Sequence, residues 1–377
     1  MHILTVIYEF PPIGGGGGRA AYDICKGLAA RGHRITVLTA HMKGLPFEEY
    51  MSGIRLVRIS SLRRDTFGAS FTTMLAYILA GLWVGFRLIY LDRPDIIHTH
   101  FAVPSGALAW VLSILTGIPY ILTAHLGDVP GGVPEKTGKW FRWVKPFTQP
   151  IWKDARKVIA VSEHTRQLAL MHYPVDIQVV HNGADVQHLS PPQVKVNTPP
   201  HLVFAGRFMP QKNPLAIVQT LSRLGDLDWH CSMMGDGPLL GDVKSEIERA
   251  GMIERFSLPG WVTPEVVLEQ FLKSDILFMP SLSEGLPVVG VQALAAGLAI
   301  VASDIGGFLD LVDHEKNGYL IDAHNIHSFA KALHGLISDP ETLLCFREAS
   351  VEKSRQFDIH KIVDQYQIIL YDALNEK

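Results

Sequence analysis

The sequence predicts an α/β protein made of two doubly wound parallel sheets, each covered by helices on both faces. Short apolar runs alternate with helical stretches along the chain, which is the pattern of βαβ units. The alternation restarts once, after a proline-rich polar stretch at 190–200. The length of 377 residues also suits two domains better than one. Ligands of such sheets bind beyond the carboxyl ends of the strands, so we expect the site in a cleft where the two domains face each other.

The first half, residues 1–190, predicts one Rossmann-like domain. Its strands are expected at Ile3–Ile7, Ile35–Thr39, Asp95–Thr99, Tyr120–Thr123 and Val158–Val161. Its helices are expected at Arg19–Ala30, near 71–91, near 105–116 and at Glu163–Met171, the last with Ser162 as its N-cap. The proline-rich stretch that follows is interpreted as an interdomain linker.

The second half, residues 191–357, predicts a domain of the same kind. Its strands are expected at His201–Ala205, Trp229–Met234, Phe256–Leu258, Ile276–Met279 and Ala299–Ala302. Helices are expected to begin near Pro214 and near Val288, the latter behind Pro287. A last amphipathic stretch covers about His360–Leu374.

Composition and charge indicate a soluble cytoplasmic protein without a nucleic-acid partner. Hydrophobic residues make up 47% and charged residues 19% of the chain, and the net charge is −3. The three cysteines, Cys25, Cys231 and Cys345, lack metal-ligand spacing and are interpreted as reduced thiols. The first residues predict a strand rather than a signal peptide.

Two stretches bear on contact with a membrane. The apolar run Met74–Phe86 is shorter than the roughly 20 residues that span a bilayer. We interpret it as part of a helix packed on a sheet, with a peripheral contact at the inner face of the membrane as the alternative. The stretch 138–147 mixes cations with aromatic residues and admits the same two interpretations.

A run of five glycines, Gly14–Gly18, follows the first strand and precedes a helix. Its backbone can approach a ligand closely and present amide N–H groups, as in an anion site. The run also matches the dinucleotide fingerprint, but the second strand does not end in the carboxylate that NAD(P) binding requires. Arg19 and Ala20 stand where a Walker loop needs Lys and Ser or Thr. A flexible turn without a ligand remains the alternative.

Two loops of the second half add charged residues at strand ends. Gly206-Arg207 follows a strand, and Lys212 comes five residues later at the start of a helix, which suits a pyrophosphate. The stretch 280–297 follows another strand and carries Glu284, with Gln292 inside the helix behind it. Glu284 is therefore expected beside free N–H groups of a helix N-terminus.

These motifs, taken in order, resemble those of glycosyltransferase family 4, whose members have the two-domain GT-B fold. The family signature is E-G-x-P-x-x-x-x-E-A-x-A-x-G, and this chain matches it at Glu284, Gly285, Pro287, Ala293, Ala295 and Gly297. Further matching segments are the glycine run, Arg31-Gly-His33, Pro94-Asp-Ile-Ile-His98, His181-Asn-Gly-Ala-Asp185, Gly206-Arg207 with Lys212, and Gly235-Asp-Gly-Pro238. The resemblance covers nearly the whole chain.

The resemblance implies a retaining transferase that moves a hexosyl group from a UDP- or GDP-type sugar to a hydroxyl, without a metal or other cofactor. Arg207 and Lys212 would bind the donor diphosphate, with Gly15 and Gly16 approaching it from the first domain. Glu284 would lie against a hydroxyl of the donor sugar. The acceptor would attack from the face that the nucleotide leaves, and the donor phosphate would take its proton.

The resemblance also assigns the rest of the site. His125, in Thr123-Ala-His-Leu-Gly-Asp128, would face the transferred sugar. The residues that would line the sugar, phosphate and nucleobase pocket, largely through main chain, are Gly206, Gly235, Gly285, Leu286, Pro287 and Pro259–Trp261. The C-terminal helix, 358–377, would pack back onto the first domain.

One signature position departs from the family pattern. The second family Glu, which accepts hydrogen bonds from the ribose hydroxyls, is Gln292 in this chain. An amide accepts through one atom and donates through the other, whereas a carboxylate accepts through both. Loss of a charge-assisted hydrogen bond costs ~1–2 kcal/mol, so we expect weaker donor binding and unchanged chemistry.

Several alternatives stay open on the same fold. A sugar-nucleotide epimerase would need no acceptor, and a disaccharide synthase or phosphorylase would use the same cleft. A nucleotide-sugar binding protein with impaired catalysis is the alternative that is not an enzyme. The pair Asp226-x-Asp228 resembles a metal motif but is expected to cap a loop, and His98 and His100 are expected to be buried rather than catalytic. The acceptor is expected to be a sugar, a lipid-linked molecule or another small molecule.

Overall fold

The chain forms two α/β units, each organised around its own sheet. The computed structural model describes residues 1–64, 70–134 and 141–376, so part of the predicted aromatic and basic stretch at 138–147 lies outside the described residues. The first unit consists of Met1–Gly183 and Ile359–Lys377, and the second of Ala184–Asp358.

The first unit contains an eight-stranded sheet. Its strands are β1 His2–Val6, β2 Arg34–Met42, β3 Glu48–Met51, β4 Ile54–Arg63, β5 Ile96–His100, β6 Tyr120–Ala124, β7 Lys157–Ala160 and β8 Ile177–Val179. The order is β3-β4-β2-β1-β5-β6-β7-β8, and β3, which is antiparallel to β4, is the exception to parallel pairing. Val6 aligns with Leu38 on one side and with Thr99 on the other. The strands added after β1 extend the sheet on one side of it through β2 and on the other side through β5. Ligands of such sheets bind at the carboxyl end of the strands where the order reverses in this way.

Helices cover both faces of this sheet. They are α1 Gly16–Ala30, α2 Phe71–Asp92, α3 Ala107–Thr116, α4 Phe141–Lys153 and α5 Glu163–Leu170. The predicted N-cap of α5 is confirmed, because the Ser162 hydroxyl accepts a hydrogen bond from Thr165 N at 3.1 Å. The predicted start of α1 at Arg19 is wrong: the helix begins inside the glycine run, because first-turn positions need no side chain to be helical.

The second unit contains a six-stranded parallel sheet. Its strands are β9 His201–Ala205, β10 His230–Met234, β11 Phe256–Gly260, β12 Ile276–Met279, β13 Ala299–Ser303 and β14 Gly318–Ile321, in the order β11-β10-β9-β12-β13-β14. Its helices are α6 Val186–Leu189, α7 Pro214–Leu221, α8 Leu240–Arg249, α9 Pro264–Leu272, α10 Val288–Ala295, α11 Phe308–Leu311, α12 Ile326–Ser338 and α13 Pro340–Ser354. The strand order reverses at β9, because β10 pairs with it on one side and β12 on the other.

The proline-rich stretch 190–200 was predicted to be a linker between the domains. In the structure it is part of the second unit. Asn197 donates its backbone N–H to Asp275 Oδ1 at 3.1 Å, and Arg347 donates to the Lys195 carbonyl at 2.5 Å. Arg347 and Asp275 also form a buried ion pair. The junction between the units therefore lies after Gly183, before the predicted boundary at 190, because buried charges hold the stretch onto the sheet.

The last helix, α14 Ile359–Asn375, belongs to the first unit. Its buried face, which includes Val363, Tyr366 and Leu370, shares one core cluster with residues of β1 and α1. A Cβ on Gly27 would lie 2.5 Å from Val363 Cγ2, so the absence of a side chain lets α1 and α14 approach closely. The amphipathic pattern of this segment thus marks a core helix.

Helix α2 packs on the sheet with one face only. Tyr77, Gly81, Gly85 and Leu88 are buried, and Tyr77 Oη donates to the Leu38 carbonyl at 3.2 Å. The predicted packing on the sheet is therefore confirmed for this face. The expectation that the segment is too short to span a bilayer is wrong on length, since its 22 residues are long and apolar enough to cross one by those two criteria.

Candidate active site

The carboxyl ends of β9 and β10 meet through two glycines. Gly206 N donates to the Met234 carbonyl at 3.0 Å, and Gly235 N donates to the Gly260 carbonyl at 2.8 Å. Gly235 has φ +135°, and a Cβ there would overlap the carbonyl oxygen of Gly206. Only glycine fits this position, so the two loops run in direct backbone contact.

An ion pair joins the strand ends of β9 and β12, which are neighbours in the sheet. Lys212 Nζ donates to Glu284 Oε1, and the Glu284 side chain is 7% exposed. Lys212 is 16% exposed, so the pair is shielded but accessible from one side. A carboxylate and an ammonium held together at strand ends can bind a hydroxylated anion: hydroxyls donate to the former, and phosphate oxygens accept from the latter.

Neighbouring loops hold this pair in place. The Gln211 carbonyl accepts from Leu282 N at 2.7 Å, and its Nε2 donates to the Ser283 carbonyl at 3.0 Å. Behind the carboxylate, Gly307 N donates to the Glu284 carbonyl at 3.1 Å. Sequence reasoning missed both supports. The Gly306-Gly307 pair in the loop after β13 was the available signal, whereas nothing marked Gln211.

The other predicted residues of the second unit belong to four loops and elements of the same sheet. Gly285 and Leu286 continue the Glu284 loop, and Pro287 is the N-cap of α10, which begins at Val288 as predicted. Gln292 lies within α10 and is partly exposed. Arg207 follows Gly206 directly and is also partly exposed. Of the predicted nucleobase segment, Pro259 and Gly260 lie inside β11, and Trp261 is 58% exposed.

In the first unit, the glycine run forms the first turn of α1. Gly15 is the N-cap, and its carbonyl accepts from Arg19 N at 3.1 Å, so Gly16 is the first helical residue. A Cβ at Gly15 would meet no atom within 4 Å, which leaves open space beside the helix N-terminus. The run is thus ordered as a helix start, and the predicted amides lie where a helix leaves them outside its own hydrogen bonds.

His125 follows β6 and is 8% exposed. Its ring stacks on Phe101 with a centroid distance of 4.2 Å and an interplanar angle of 21°. Its Nε2 is buried and has no hydrogen-bond partner among the residues that the structure describes. Burial lowers the pKa of His125 to about 4, so the ring is neutral at pH 7 and can exchange a hydrogen bond but not supply a positive charge.

Asp128 is a buried carboxylate to which sequence reasoning gave no role. Its oxygens accept from the backbone N–H groups of Ala102 and His125, each at 2.8 Å. Burial raises its pKa to about 7, against the lowering effect of these hydrogen bonds. The residue stood in the quoted motif, but its partner Ala102 belongs to the loop after β5, which spacing alone does not reveal.

His98 and His100 lie inside β5 and are fully buried, as predicted. His98 Nε2 pairs with Thr123 Oγ1 at 2.9 Å, whereas both ring nitrogens of His100 lack a partner within the described ranges. Burial, and secondly His125, lowers the pKa of His98 to about 3. Burial and both neighbouring histidines lower the pKa of His100 well below its ordinary value.

Among the residues described, no group of three or more His, Cys, Asp and Glu side chains could hold a metal ion. Asp226 pairs with His334 at 3.3 Å, and Asp228 lies 3.9 Å from Arg255. The two carboxylates, which were expected to cap a loop, thus make separate surface contacts, Asp226 with the His334 ring and Asp228 with the Arg255 guanidinium.

Two family profiles match nearly the whole chain. Residues 14–188 match the profile described as "Glycosyltransferase Family 4", and residues 185–353 match "Glycosyl transferases group 1". The two matches meet close to the junction between the two units.

Characterised relatives are glycosyltransferases of different specificity. A D-inositol 3-phosphate glycosyltransferase of Corynebacterium glutamicum is 27% identical over 74% of this chain and 72% of its own length. An Escherichia coli UDP-Gal:alpha-D-GlcNAc-diphosphoundecaprenol alpha-1,3-galactosyltransferase is 26% identical over 78% of this chain and 79% of its own length.

Solved structures share the fold. A sucrose-phosphate synthase from Thermosynechococcus elongatus superposes with a TM-score of 0.83 over 98% of both chains, at 17% identity. Anabaena HepE in complex with UDP gives a TM-score of 0.78 over 99% of this chain and 100% of its own, also at 17% identity.

Proposed function

We propose that this chain, which belongs to glycosyltransferase family 4 and has the two-domain GT-B fold, moves a hexosyl group from a UDP- or GDP-type sugar to an acceptor hydroxyl. The general activity, glycosyl transfer, follows from both family profiles and from the relatives. The observation that carries the finer proposal is the Lys212–Glu284 pair at adjacent strand ends. Support for a uridine nucleotide comes from HepE, which was crystallised with UDP and with UDP-glucose.

In the proposed reaction, Arg207 and Lys212 bind the donor diphosphate and stabilise the charge that develops on the leaving nucleotide. Glu284 accepts a hydrogen bond from a hydroxyl of the donor sugar. Helix α10 begins at Val288, just behind this loop, and its N-terminal amides add positive potential. The acceptor hydroxyl attacks from the face that the nucleotide leaves and gives its proton to the donor phosphate, so the anomeric configuration is retained.

We also propose that the reaction needs no metal or other cofactor. Arg207 and Lys212 supply the positive charge that a divalent cation supplies in other transferases. Front-face attack needs no pair of carboxylates at glycosidase spacing. Undiminished turnover in excess EDTA is the expected result, and activity restored only by Mg²⁺ or Mn²⁺ would contradict it.

The family roles of the remaining residues stay proposals. Gly15 and Gly16 would contact the diphosphate, and His125 the transferred sugar. The residues proposed to line the rest of the pocket are Gly206, Gly235, Gly285, Leu286, Pro287 and Gln292.

The exposed face of helix α2 in the first unit favours a lipid-linked acceptor. The Escherichia coli relative is named for a diphosphoundecaprenol substrate. The exposed side chains of α2 are apolar except for Thr72 and Arg87. Its stripe Phe71, Leu75, Leu79 and Trp83 recurs every fourth residue, with exposed fractions of 46–76%. Outward faces of helices in soluble domains are normally polar.

The proposed occupant of this face is the cytoplasmic surface of a bilayer. Trp83 and Tyr90, which are 76% and 74% exposed, are of the residue types that lie at lipid headgroup depth. The one acidic residue of the helix, Asp92, is held by Arg34 and Arg55, while Arg87 is exposed and suits anionic headgroups. This arrangement favours a helix that lies on the membrane and does not cross it.

Nucleotide binding tests the donor site without knowledge of the acceptor. Thermal unfolding is measured with UDP, GDP and ADP and with their sugars, because a ligand of the folded state raises its stability by about 2.7 kcal/mol at a hundred times its Kd. We expect a clear rise in Tm with a uridine or guanosine diphosphate, its loss in Arg207→Ala, and no loss in Lys331→Ala, an exposed control on α12. No shift with any nucleotide would contradict the donor site.

Turnover tests the chemistry. Glu284→Gln keeps the shape beside Lys212 but removes the charge, so it should retain the fold and lose most of the transfer. The anomeric configuration of the product, read by NMR, tests retention, and inversion would refute it. Interconversion of epimers with donor alone would indicate an epimerase, and phosphate-dependent cleavage would indicate a phosphorylase. Nucleotide-sugar binding without turnover would favour the binding protein.

A further inference from the structure

Asp128 ties together two loops at the carboxyl ends of β5 and β6. Its Oδ1 accepts from Ala102 N and its Oδ2 accepts from His125 N, each at 2.8 Å. In return, Asp128 N donates to the His125 carbonyl at 2.9 Å. Because one buried side chain accepts from backbone N–H groups of both loops, it fixes the backbone of His125 relative to the loop after β5.

Phe101 fixes the ring of His125 from the other side. It has φ +69°, a backbone conformation that a bulky residue adopts only where its surroundings impose it. Its ring stacks on His125 and also fills the space in front of Gly17. A Cβ on Gly17 would lie 2.5 Å from Phe101 Cζ and 3.4 Å from His125 Cε1. The first turn of α1, at Gly17, therefore packs against the stacked rings of Phe101 and His125.

One polar atom of His125 is left over by these contacts. The backbone N–H is bound by Asp128 and one ring face is covered by Phe101, while Nε2 is buried with no partner among the described residues. A buried nitrogen in this state requires a hydrogen-bond partner, which the described residues do not supply.

We infer that Asp128, Phe101 and Gly17 are positioning residues that together orient His125 Nε2 toward the transferred sugar. The inference rests on the proposed function, in which His125 contacts that sugar. Asp128 acts through two backbone N–H groups and transfers no proton to substrate. The three residues are called the His125 clasp below.

Kinetics of Asp128→Asn test the carboxylate. An amide can accept one of the two N–H groups but directs its own N–H₂ at the other, so the loop shifts. We expect kcat to fall by about ten- to a hundred-fold, as for a misplacement of about 1 Å, with KM for the donor changed less than about three-fold. The nucleotide-induced rise in Tm, which depends on Arg207, should be unchanged.

Asp95→Asn is the matched control. This carboxylate accepts from His2 N at 2.6 Å at the opposite, amino end of the same sheet. It should lower stability without lowering kcat. An equal loss of kcat in both variants, or an unchanged kcat in Asp128→Asn, would overturn the role of Asp128.

A double-mutant cycle tests the ring contact. Gly17→Ala should lower kcat, because the new Cβ displaces Phe101. Phe101→Leu should also lower it, but the combination should be better than Gly17→Ala alone, since the smaller side chain makes room. Residues in contact couple in this way, whereas strictly multiplicative losses would overturn the clasp.

NMR titration of the His125 ring needs no substrate and so separates the clasp from the proposed function. The resonance is assigned by its absence in His125→Asn. In the parent protein burial holds the pKa of His125 at about 4, and it should rise toward 6.5 in Asp128→Asn as the ring becomes accessible. An unchanged titration would overturn the clasp. A released ring in a protein that shows no sugar transfer would instead refute the proposed function alone.

Discussion

Gln292 is the residue at which this chain departs from its family signature, and it lies partly exposed in α10, behind the Glu284 loop. If the ribose lies against this position, a carboxylate there accepts from both hydroxyls, whereas the amide accepts from one. Gln292→Glu should therefore bind the nucleotide about ten-fold more tightly, as one charge-assisted hydrogen bond allows.

Isothermal titration with the preferred nucleotide measures the gain. Gln219→Glu, at an exposed position of α7, makes the same change of charge away from the site and should leave Kd unchanged. Equal or weaker binding by Gln292→Glu would place the ribose elsewhere.

For individual residues, the sequence indicated which side chains follow strand ends but not which hydrogen bonds and ion pairs they form. Glu284 and Lys212 were expected at one site because both follow parallel strands, yet their ion pair depends on β9 and β12 being neighbours. Asp128 was invisible because its acceptor role is toward backbone N–H groups, which every residue carries. Side-chain chemistry marks a site in a sequence, whereas backbone contacts appear only with the fold.

Among the elements, the buried parallel strands were predicted, as was the partly exposed β11, whereas four other exposed or charged strands were not. The predicted bounds of β9 and β12 are those observed, since continuous apolar runs are typical of strands buried on both faces. β4 escaped prediction because arginines interrupt its apolar pattern; Arg58 and Arg63 are nevertheless buried, through ion pairs with Glu49 and Glu9. Three further strands, β3, β8 and β14, are short and partly exposed.

The membrane proposal rests on helix α2, and substitutions on the exposed face of this helix test it. The double variant Leu79→Ser, Trp83→Ser removes two of the most exposed apolar side chains without touching the buried face. We expect the parent protein to sediment with anionic vesicles and the variant to lose most of that binding, because apolar burial and charge act together at an interface.

Ile253→Ser, at a 59% exposed position of the second unit, is the control and should bind like the parent. Arg87→Glu should weaken binding to anionic vesicles more than to neutral ones. Light scattering measures the oligomeric state and so tests whether a second copy of the chain covers this face instead. If the parent protein is a dimer and the double variant is a monomer, the face is a dimer interface and the membrane proposal is contradicted.

For the whole molecule, buried titratable groups determine how stability depends on pH. The pKa values of His98, His100 and His125 lie below 6.5 in the folded state because of burial, so below that pH the unfolded chain binds more protons and stability falls. Asp128 acts in the opposite sense, since its raised pKa favours the folded, protonated form below about 7. Burial also lowers the pKa of four further histidines, His2, His33, His172 and His201. The histidines therefore outweigh the one raised carboxyl, and the free energy of unfolding should decrease as the pH falls from about 6.5.

Urea unfolding at a series of pH values measures this slope. His100→Leu should reduce it by about one proton, because a ring with no described hydrogen-bond partner is replaced by an apolar side chain. His324→Leu, at an exposed site, should leave it unchanged. A slope that His100→Leu does not alter would show that these histidines do not govern acid stability.

The path of the chain through the two units fixes the order in which they can mature during synthesis. The second unit is one continuous segment, Ala184–Asp358, and all of it leaves the ribosome before α14 does. The first unit must wait for Ile359–Asn375, whose Val363, Tyr366 and Leu370 close its core against α1 and β1. Until then a nascent chain exposes an apolar groove, which is a surface that chaperones bind and that promotes aggregation. A chain that stops before Val363 would therefore lack the residues that close the first unit, while the segment of the second unit would be complete.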